Sequence, residues 1–266
     1  MTARIDDQPW RLLVVDDRTP EDLTLSPVLA ETVAEAVARG EQPPTVLLRW
    51  QHPYVLLGPI DTRLPRLEAG VAWLEARGLP VFARISGGSA VLLDDACLSF
   101  AVAVPCRDLT ALRRNYEQLA AGVIEGLAAL GVEAAFAEVA GTYCPGPYDL
   151  AVGGRKIAGL SQALRRGFAE VGGMILVSQP PERAVAILEG FYAAAGSPKR
   201  FAVDRLTNLE QLLGRPVSRR EVAQAIAGAY ARRLQLQPGE LSVRERARAR
   251  ALLAARQLTS RREALP

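Results

Sequence analysis

The chain has 266 residues, 32 Lys plus Arg, 29 Asp plus Glu, and a net charge of +3. At 49% hydrophobic and 23% charged it can bury a normal core, as one large domain or one domain with a small appendage. So small a net charge argues against a dedicated nucleic-acid binder, which needs a clustered basic face.

Residues 12–15 form a short apolar run that predicts a strand. Ser26 and Pro27 open a helix, with apolar positions recurring to Val37 and Gly40 as the stop. Strands are expected at 45–50 (TVLLRW) and 54–57, the second cut off by Gly58 and Pro59. A helix over 63–77 ends at Gly78. Residues 81–85 predict a strand, 86–89 (SGGS) a turn, and 90–93 and 98–104 two further strands. Helical spacing over 109–130 predicts one helix that stops at Gly131. A strand is expected within 132–139, and the breaker-rich 141–147 is a loop. Residues 148–152 and 156–161, joined by Gly153-Gly154, read as a hairpin. A strand at 170–177 and a helix from Pro181 to Ala195 follow, then helices near 208–213, 218–234 and 241–256. Strands with helices between them, and helices alone at the end, predict an α+β fold. Its mixed sheet is flanked by helices, with the main domain over 1–200 and a helical extension over 201–266.

Chemically versatile residues are few. Only Lys156 and Lys199 are lysines; the other thirty cations are arginines. One histidine, His52, and three cysteines without CxxC spacing cannot build a zinc site that needs paired ligands. There is no GxSxG elbow for a serine nucleophile. Scattered cysteines fit a reducing cytoplasm. The start, MTARIDDQPWRLLVVDD, lacks the apolar run of a signal peptide, and no stretch reaches about 18–20 apolar residues. Neither a membrane nor a nucleic acid is expected as partner. The basic run Arg244, Arg246, Arg248, Arg250, Arg256, Arg261 and Arg262 reads as a solvated helix face.

Three segments carry candidate chemistry. In RISGGSAV, Arg84 precedes Ser86, Gly87, Gly88, Ser89, Ala90 and Val91. Paired glycines let backbone N–H groups approach a ligand, and the arginine adds a fixed cation; an ordinary tight turn is the competing reading. In YCPGPYDL, Cys144 stands in a Pro/Gly loop, whereas Cys97 and Cys106 sit in apolar runs that suit packing. A thiol is a good nucleophile only as thiolate, which needs a nearby cation or dipole. In GGRKIAG, Lys156 and Gly159 provide a compact, exchangeable cation among small residues. Composition alone does not separate a role for Lys156 from chance retention. Lys199 reads as a surface loop residue, His52 as a turn residue, and Asp94-Asp95 as a solvated turn.

Together and in this order the three segments resemble the lipoate-protein ligase A and lipoyl/octanoyl transferase superfamily, over roughly residues 40–200. The resemblance implies the biotin/lipoate ligase catalytic fold. It implies that the loop from Arg84 to Val91 with Gly159 binds the acyl group, and that Lys156 contacts its carbonyl. YCPGPYDL most resembles the octanoyl-[glycine-cleavage H protein]:protein N-octanoyltransferase group. That implies Cys144 as acyl-thioester nucleophile, an octanoylated H protein as donor, and E2 lipoyl domains as acceptors, with no cofactor and no metal. Cys144 lies twelve positions before Lys156, whereas the best-known octanoyl-carrier transferases place their cysteine well after the lysine loop. ATP-dependent ligases usually carry a histidine after the double glycine, where this chain has Leu93-Asp94-Asp95. Octanoyl transfer from acyl carrier protein, ATP-dependent lipoate ligation and non-catalytic lipoyl-domain binding are the alternatives.

Overall fold

The computed structural model describes residues 8–260, so the extreme N-terminus and Arg261 and Arg262 of the basic run lie outside it. In chain order the elements are β1 (Trp10–Val15), α1 (Pro20–Leu23), α2 (Ser26–Ala38), β2 (Thr45–Arg49), β3 (Tyr54–Leu57) and α3 (Leu67–Glu75). Then come β4 (Val81–Ala83), β5 (Val91–Leu93), β6 (Cys97–Cys106), α4 (Leu112–Leu119), α5 (Ala121–Ala129) and β7 (Ala135–Phe136). The chain continues through β8 (Leu150–Val152), β9 (Arg155–Arg165), β10 (Gly167–Leu176), α6 (Pro181–Ala194), α7 (Leu209–Leu213) and α8 (Arg219–Ala231). It closes with β11 (Leu236–Gly239), α9 (Val243–Arg256) and β12 (Gln257–Leu258).

Eight strands form one mixed sheet, ordered β11-β1-β2-β6-β10-β9-β8-β7, and four form a second, ordered β12-β4-β3-β5. β6 is buried from Cys97 to Val104, which suits a central strand covered on both faces. It pairs antiparallel with β2 and with β10, and β10 pairs antiparallel with β9. One apolar core joins the large sheet to α2, α5 and α8; another joins the small sheet to α3 and α6.

Several expectations are corrected. The helix expected over 109–130 is two helices that meet at Ala120. Tyr230 of α8 donates its hydroxyl to the Leu119 carbonyl, and its ring lies where a Gly122 Cβ would stand. A distant side chain thus takes the carbonyl that would continue the helix. The strand expected within 132–139 shrinks to β7. The segment after residue 200 supplies a strand to each sheet as well as helices. β11 (LQPG) has no apolar alternation; its proline is tolerated because it is an edge strand, and Gly239 leaves room for Arg11.

The arginine face of α9 is not simply solvated. Arg246 pairs with Asp22 at 2.9 Å, Arg256 pairs with Glu31 at 2.6 Å, and Arg248 pairs with Glu35. Buried Glu245 pairs with buried Arg11 at 2.6 Å. α9 is therefore fastened to α1, α2 and β1 by charge. Asp94 is likewise no solvated residue: it is fully buried and caps the Ala96 N–H at 3.0 Å. Lys199 is half-buried, with its ammonium 3.8 Å from the centre of the Tyr192 ring.

Candidate active site

The YCPGPYDL loop enters from β7 and leads into β8, β9 follows through a tight turn, and the RISGGSAV loop bridges β4 and β5. Gly153 and Gly154 both have positive φ, 55° and 75°, which the two-residue hairpin turn requires. That turn fixes the register and sets Lys156 opposite Ala151.

Cys144 is half-buried at φ 46°, the sole positive φ of a non-glycine among the described residues. A left-handed backbone at such a residue costs about 1–3 kcal/mol and persists only where its surroundings enforce it. Here Asp149 and Lys156 enforce it. Asp149 accepts from the N–H groups of Gly146 at 2.9 Å and Leu160 at 3.2 Å. The Lys156 ammonium is 2.7 Å from Asp149 Oδ2 and donates to the carbonyls of Tyr143 at 3.1 Å and Cys144 at 2.8 Å. The lysine and aspartate side chains are only 2% and 1% exposed, so each needs the other. Burial pushes the Asp149 carboxyl above its ordinary range, while Lys156 pulls it down. Asp149 stands in a quoted motif, but the sequence does not single it out; its seven-residue distance from Lys156 across a predicted hairpin is the signal that could have.

The Cys144 sulfur faces the glycine loop. The Ser89 N–H donates to Sγ at 3.1 Å, and Arg84 Nη2 lies 3.7 Å from it. Arg84 also donates to the carbonyls of Leu56, Gly87 and Ser89, which locks its guanidinium in place. Gly88, at φ 95°, has no room for a side chain: a Cβ would lie 2.6 Å from the sulfur. The donors at the sulfur thus come from the RISGGSAV loop, whereas Lys156 grips the carbonyl of Cys144.

A pocket opens beside the sulfur. Cys144, Arg84, Ser86, Val91 and Gly159 line it, as expected from their loops. Gly87, Gly88, Ser89 and Ala90 do not; they shape the backbone around Arg84 and the sulfur. Leu56, Ile85, Leu93, Phe100 and Met174 make the wall apolar, and Gly159, Gly172 and Gly173 leave depth in the sheet. Arg49, Glu31 and Glu170 also reach it and carry no sequence signal. Burial raises the Glu170 carboxyl to about 7, against the pull of Arg49 and Arg84. The other cysteines stand apart: Cys97 is fully buried, which pushes its thiol well up, and Cys106 donates to the Asp108 carbonyl. His52 is exposed between β2 and β3.

A family model described as the lipoyl protein ligase A/B catalytic domain matches residues 26–231, most of the chain and all of the site. The chain belongs to the lipoyl protein ligase A/B family. Among curated relatives, the octanoyl-[GcvH]:protein N-octanoyltransferase of Geobacillus kaustophilus is 32% identical over 227 residues, 82% of this chain and 80% of the relative. The protein of the same description from Bacillus velezensis is 35% identical over 188 residues, 70% of this chain and 66% of the relative. A crystal structure of lipoate-protein ligase A bound with ATP superposes with a TM-score of 0.72 at 20% identity, covering 93% of this chain and 95% of that one. The last comparison establishes the ligase-type fold. The family match runs past residue 200 into α8. No helix among the described residues is long and apolar enough to cross a membrane.

Proposed function

We propose that this member of the lipoyl protein ligase A/B family is an acyltransferase that moves octanoyl from the lipoyl lysine of the glycine-cleavage H protein to lipoyl domains of 2-oxoacid dehydrogenase E2 subunits. The curated relatives bear the octanoyl-[GcvH] activity by name. The single observation that carries the chemistry is a lone loop thiol, Cys144, at the mouth of an apolar pocket with a backbone N–H on its sulfur.

The Cys144 thiolate attacks the carbonyl carbon of the octanoyl-lysine amide. The C–N bond breaks, the proton given up by the thiol ends on the departing lysine nitrogen, and octanoyl remains on Cys144 as a thioester. The neutral lysine amine of an acceptor domain then attacks that thioester, the C–S bond breaks, and the proton lost from the new amide nitrogen goes to the leaving Cys144 sulfur. Both steps pass through an oxyanion. Lys156 serves it by exchanging its longest contact, to the Tyr143 carbonyl at 3.1 Å, for the developing charge. Arg84 and the Ser89 N–H hold the thiolate before attack. Each buried methylene contributes about 0.8 kcal/mol, so the tail supplies roughly 5 kcal/mol of binding. One amide replaces another, so the exchange requires no nucleotide.

The test is to incubate the protein with octanoylated H protein and read intact mass. An octanoyl adduct on Cys144, absent in Cys144→Ser, is expected. Transfer at the normal rate by Cys144→Ser would refute the covalent route. Supplying octanoyl on acyl carrier protein in a parallel assay tests the donor, and a requirement for ATP would expose a ligase.

A further inference from the structure

Ser89 and Ala90 present consecutive N–H groups that go to different places. The Ser89 N–H donates to the Cys144 sulfur at 3.1 Å, and the Ala90 N–H donates to the Tyr192 hydroxyl oxygen at 3.2 Å. Tyr192, on α6, in turn donates its hydroxyl to Asp61 Oδ1 at 2.8 Å. The other Asp61 oxygen accepts from the Gly58 N–H at 3.0 Å. Tyr192, Asp61 and Ala90 are each 1% exposed or less, so water cannot substitute for these bonds.

The direction of the chain is fixed by its end. An ionised carboxylate only accepts, so Tyr192 must donate to Asp61 and turn a lone pair to Ala90. Burial pushes the Asp61 carboxyl above its ordinary range, and the Tyr192 hydroxyl, the Gly58 N–H and the Lys199 ammonium, 3.8 Å from the Tyr192 ring centre, oppose this by favouring the charged form. The peptide unit between Ser89 and Ala90 is therefore held at both ends. Arg84 Nη2 donates to its carbonyl at 2.8 Å, and Tyr192 takes its N–H. A planar peptide gripped on both sides is fixed in orientation, and it is joined through Ser89 Cα to the Gly88–Ser89 peptide that carries the Ser89 N–H, so it restrains that neighbouring plane. The turn that carries Asp61 is also pressed on this loop: a Cβ on Gly58 would fall 1.8 Å from the Gly88 carbonyl oxygen.

We propose that Asp61 and Tyr192 are positioning residues for the nucleophile, holding the Ser89–Ala90 peptide so that the Ser89 N–H stays aimed at the Cys144 sulfur and favours its thiolate. This deepens the reading of Cys144 as nucleophile and rests on it. The reach is long in sequence, since Tyr192 lies 102 residues from Ala90 and 131 from Asp61. It ties α6 and the turn after β3 to the reactivity of a thiol that neither touches.

The test uses iodoacetamide, with alkylation of Cys144 resolved from Cys97 and Cys106 by peptide mass. In Tyr192→Phe the rate at pH 7, divided by the rate at pH 10, falls about threefold to tenfold, because the sulfur loses its aligned Ser89 N–H donor. Asp61→Asn shifts the ratio the same way, since one face of the amide donates where both partners also donate. The expected kinetic counterpart is a lower kcat for octanoyl transfer with KM for the donor unchanged. A lower melting temperature with an unchanged alkylation ratio in the folded variants would overturn the proposal, because that is what a packing role alone produces. If Tyr192→Phe does not fold, Asp61→Asn decides. Alkylation needs no acyl donor, so a protein that shows the expected ratio but transfers no octanoyl would defeat the transfer reading and leave this one standing.

Discussion

Gly88→Ala is the sharpest perturbation of the site. The residue sits at φ 95°, where an alanine costs about 1–2 kcal/mol in backbone strain. For a domain of this size that lowers the melting temperature by only a few degrees, so the variant remains folded at 25 °C. The larger effect is local. The new Cβ would stand 2.6 Å from Cys144 Sγ and 2.8 Å from Arg84 Nη2. Ordinary contact begins near 3.4 Å, so the sulfur or the loop must retreat by about 0.8 Å. A displacement of that order at a reacting atom costs about 10²-fold in rate. The assay is single-turnover formation of the octanoyl adduct on Cys144 by rapid quench and intact mass. Gly87→Ala serves as the control, because a Cβ there meets nothing within 4 Å. If Gly88→Ala acylates within about threefold of the wild type, the close approach of loop and sulfur is not part of catalysis and the site geometry argued above is wrong.

Other predictions follow from buried charge. Glu170 is neutral in the fold up to about 7 but ionises near its ordinary 4.5 when unfolded, so its contribution is intact below 4.5 and lost as pH climbs to 7. Glu170→Gln removes that slope, narrowing the stability difference between pH 4.5 and pH 7.5 by about 3 kcal/mol; urea titrations that stay parallel for both proteins would count against it. Lys156→Met strands the Asp149 carboxylate and costs about 3–5 kcal/mol. Adding Asp149→Asn recovers most of the stability in denaturant titrations but none of the octanoyl transfer, which separates the structural from the catalytic part of Lys156. Arg246→Ala breaks a partly exposed pair with Asp22 and lowers stability by about 1 kcal/mol, whereas Arg113→Ala, at an 80% exposed side chain, changes the melting temperature by nothing measurable.

The strands that build the site were legible because they carry local signals: TVLLR for β2, the continuous apolar run of β6, and two glycines for the β8–β9 turn. The three loops were legible as motifs, and the thiol stood out because it sits in a loop rather than an apolar run. What escaped depends on distant partners. The break at Ala120 contains no proline, and nearby Gly122 serves to admit the ring of Tyr230, which lies 111 residues from Leu119. The arginines of α9 looked solvated because Asp22, Glu31 and Glu35, their partners, lie more than 200 residues upstream. Lys156 stands out in the sequence as an unusual cation, yet its contacts are an aspartate and two carbonyls, and the groups on the sulfur are Ser89 and Arg84. A sequence names the residues of such a site more readily than it assigns which atom meets which.

The placement of β11 and β12 has a consequence for synthesis of the chain. β1 and β4 are made early, yet the strands that cover their open edges emerge only with residues 236–258. Until then a nascent or truncated chain displays two unpaired strand edges, one of them on the largely apolar WRLLVV. Such edges recruit other strands and promote aggregation. A fragment cut at residue 231, where the catalytic family match ends, would retain Cys144, Lys156 and the acyl pocket, yet would be expected to accumulate as insoluble protein. Residues 236–258 thus complete both sheets, a duty that is served once per molecule, before any acyl group arrives.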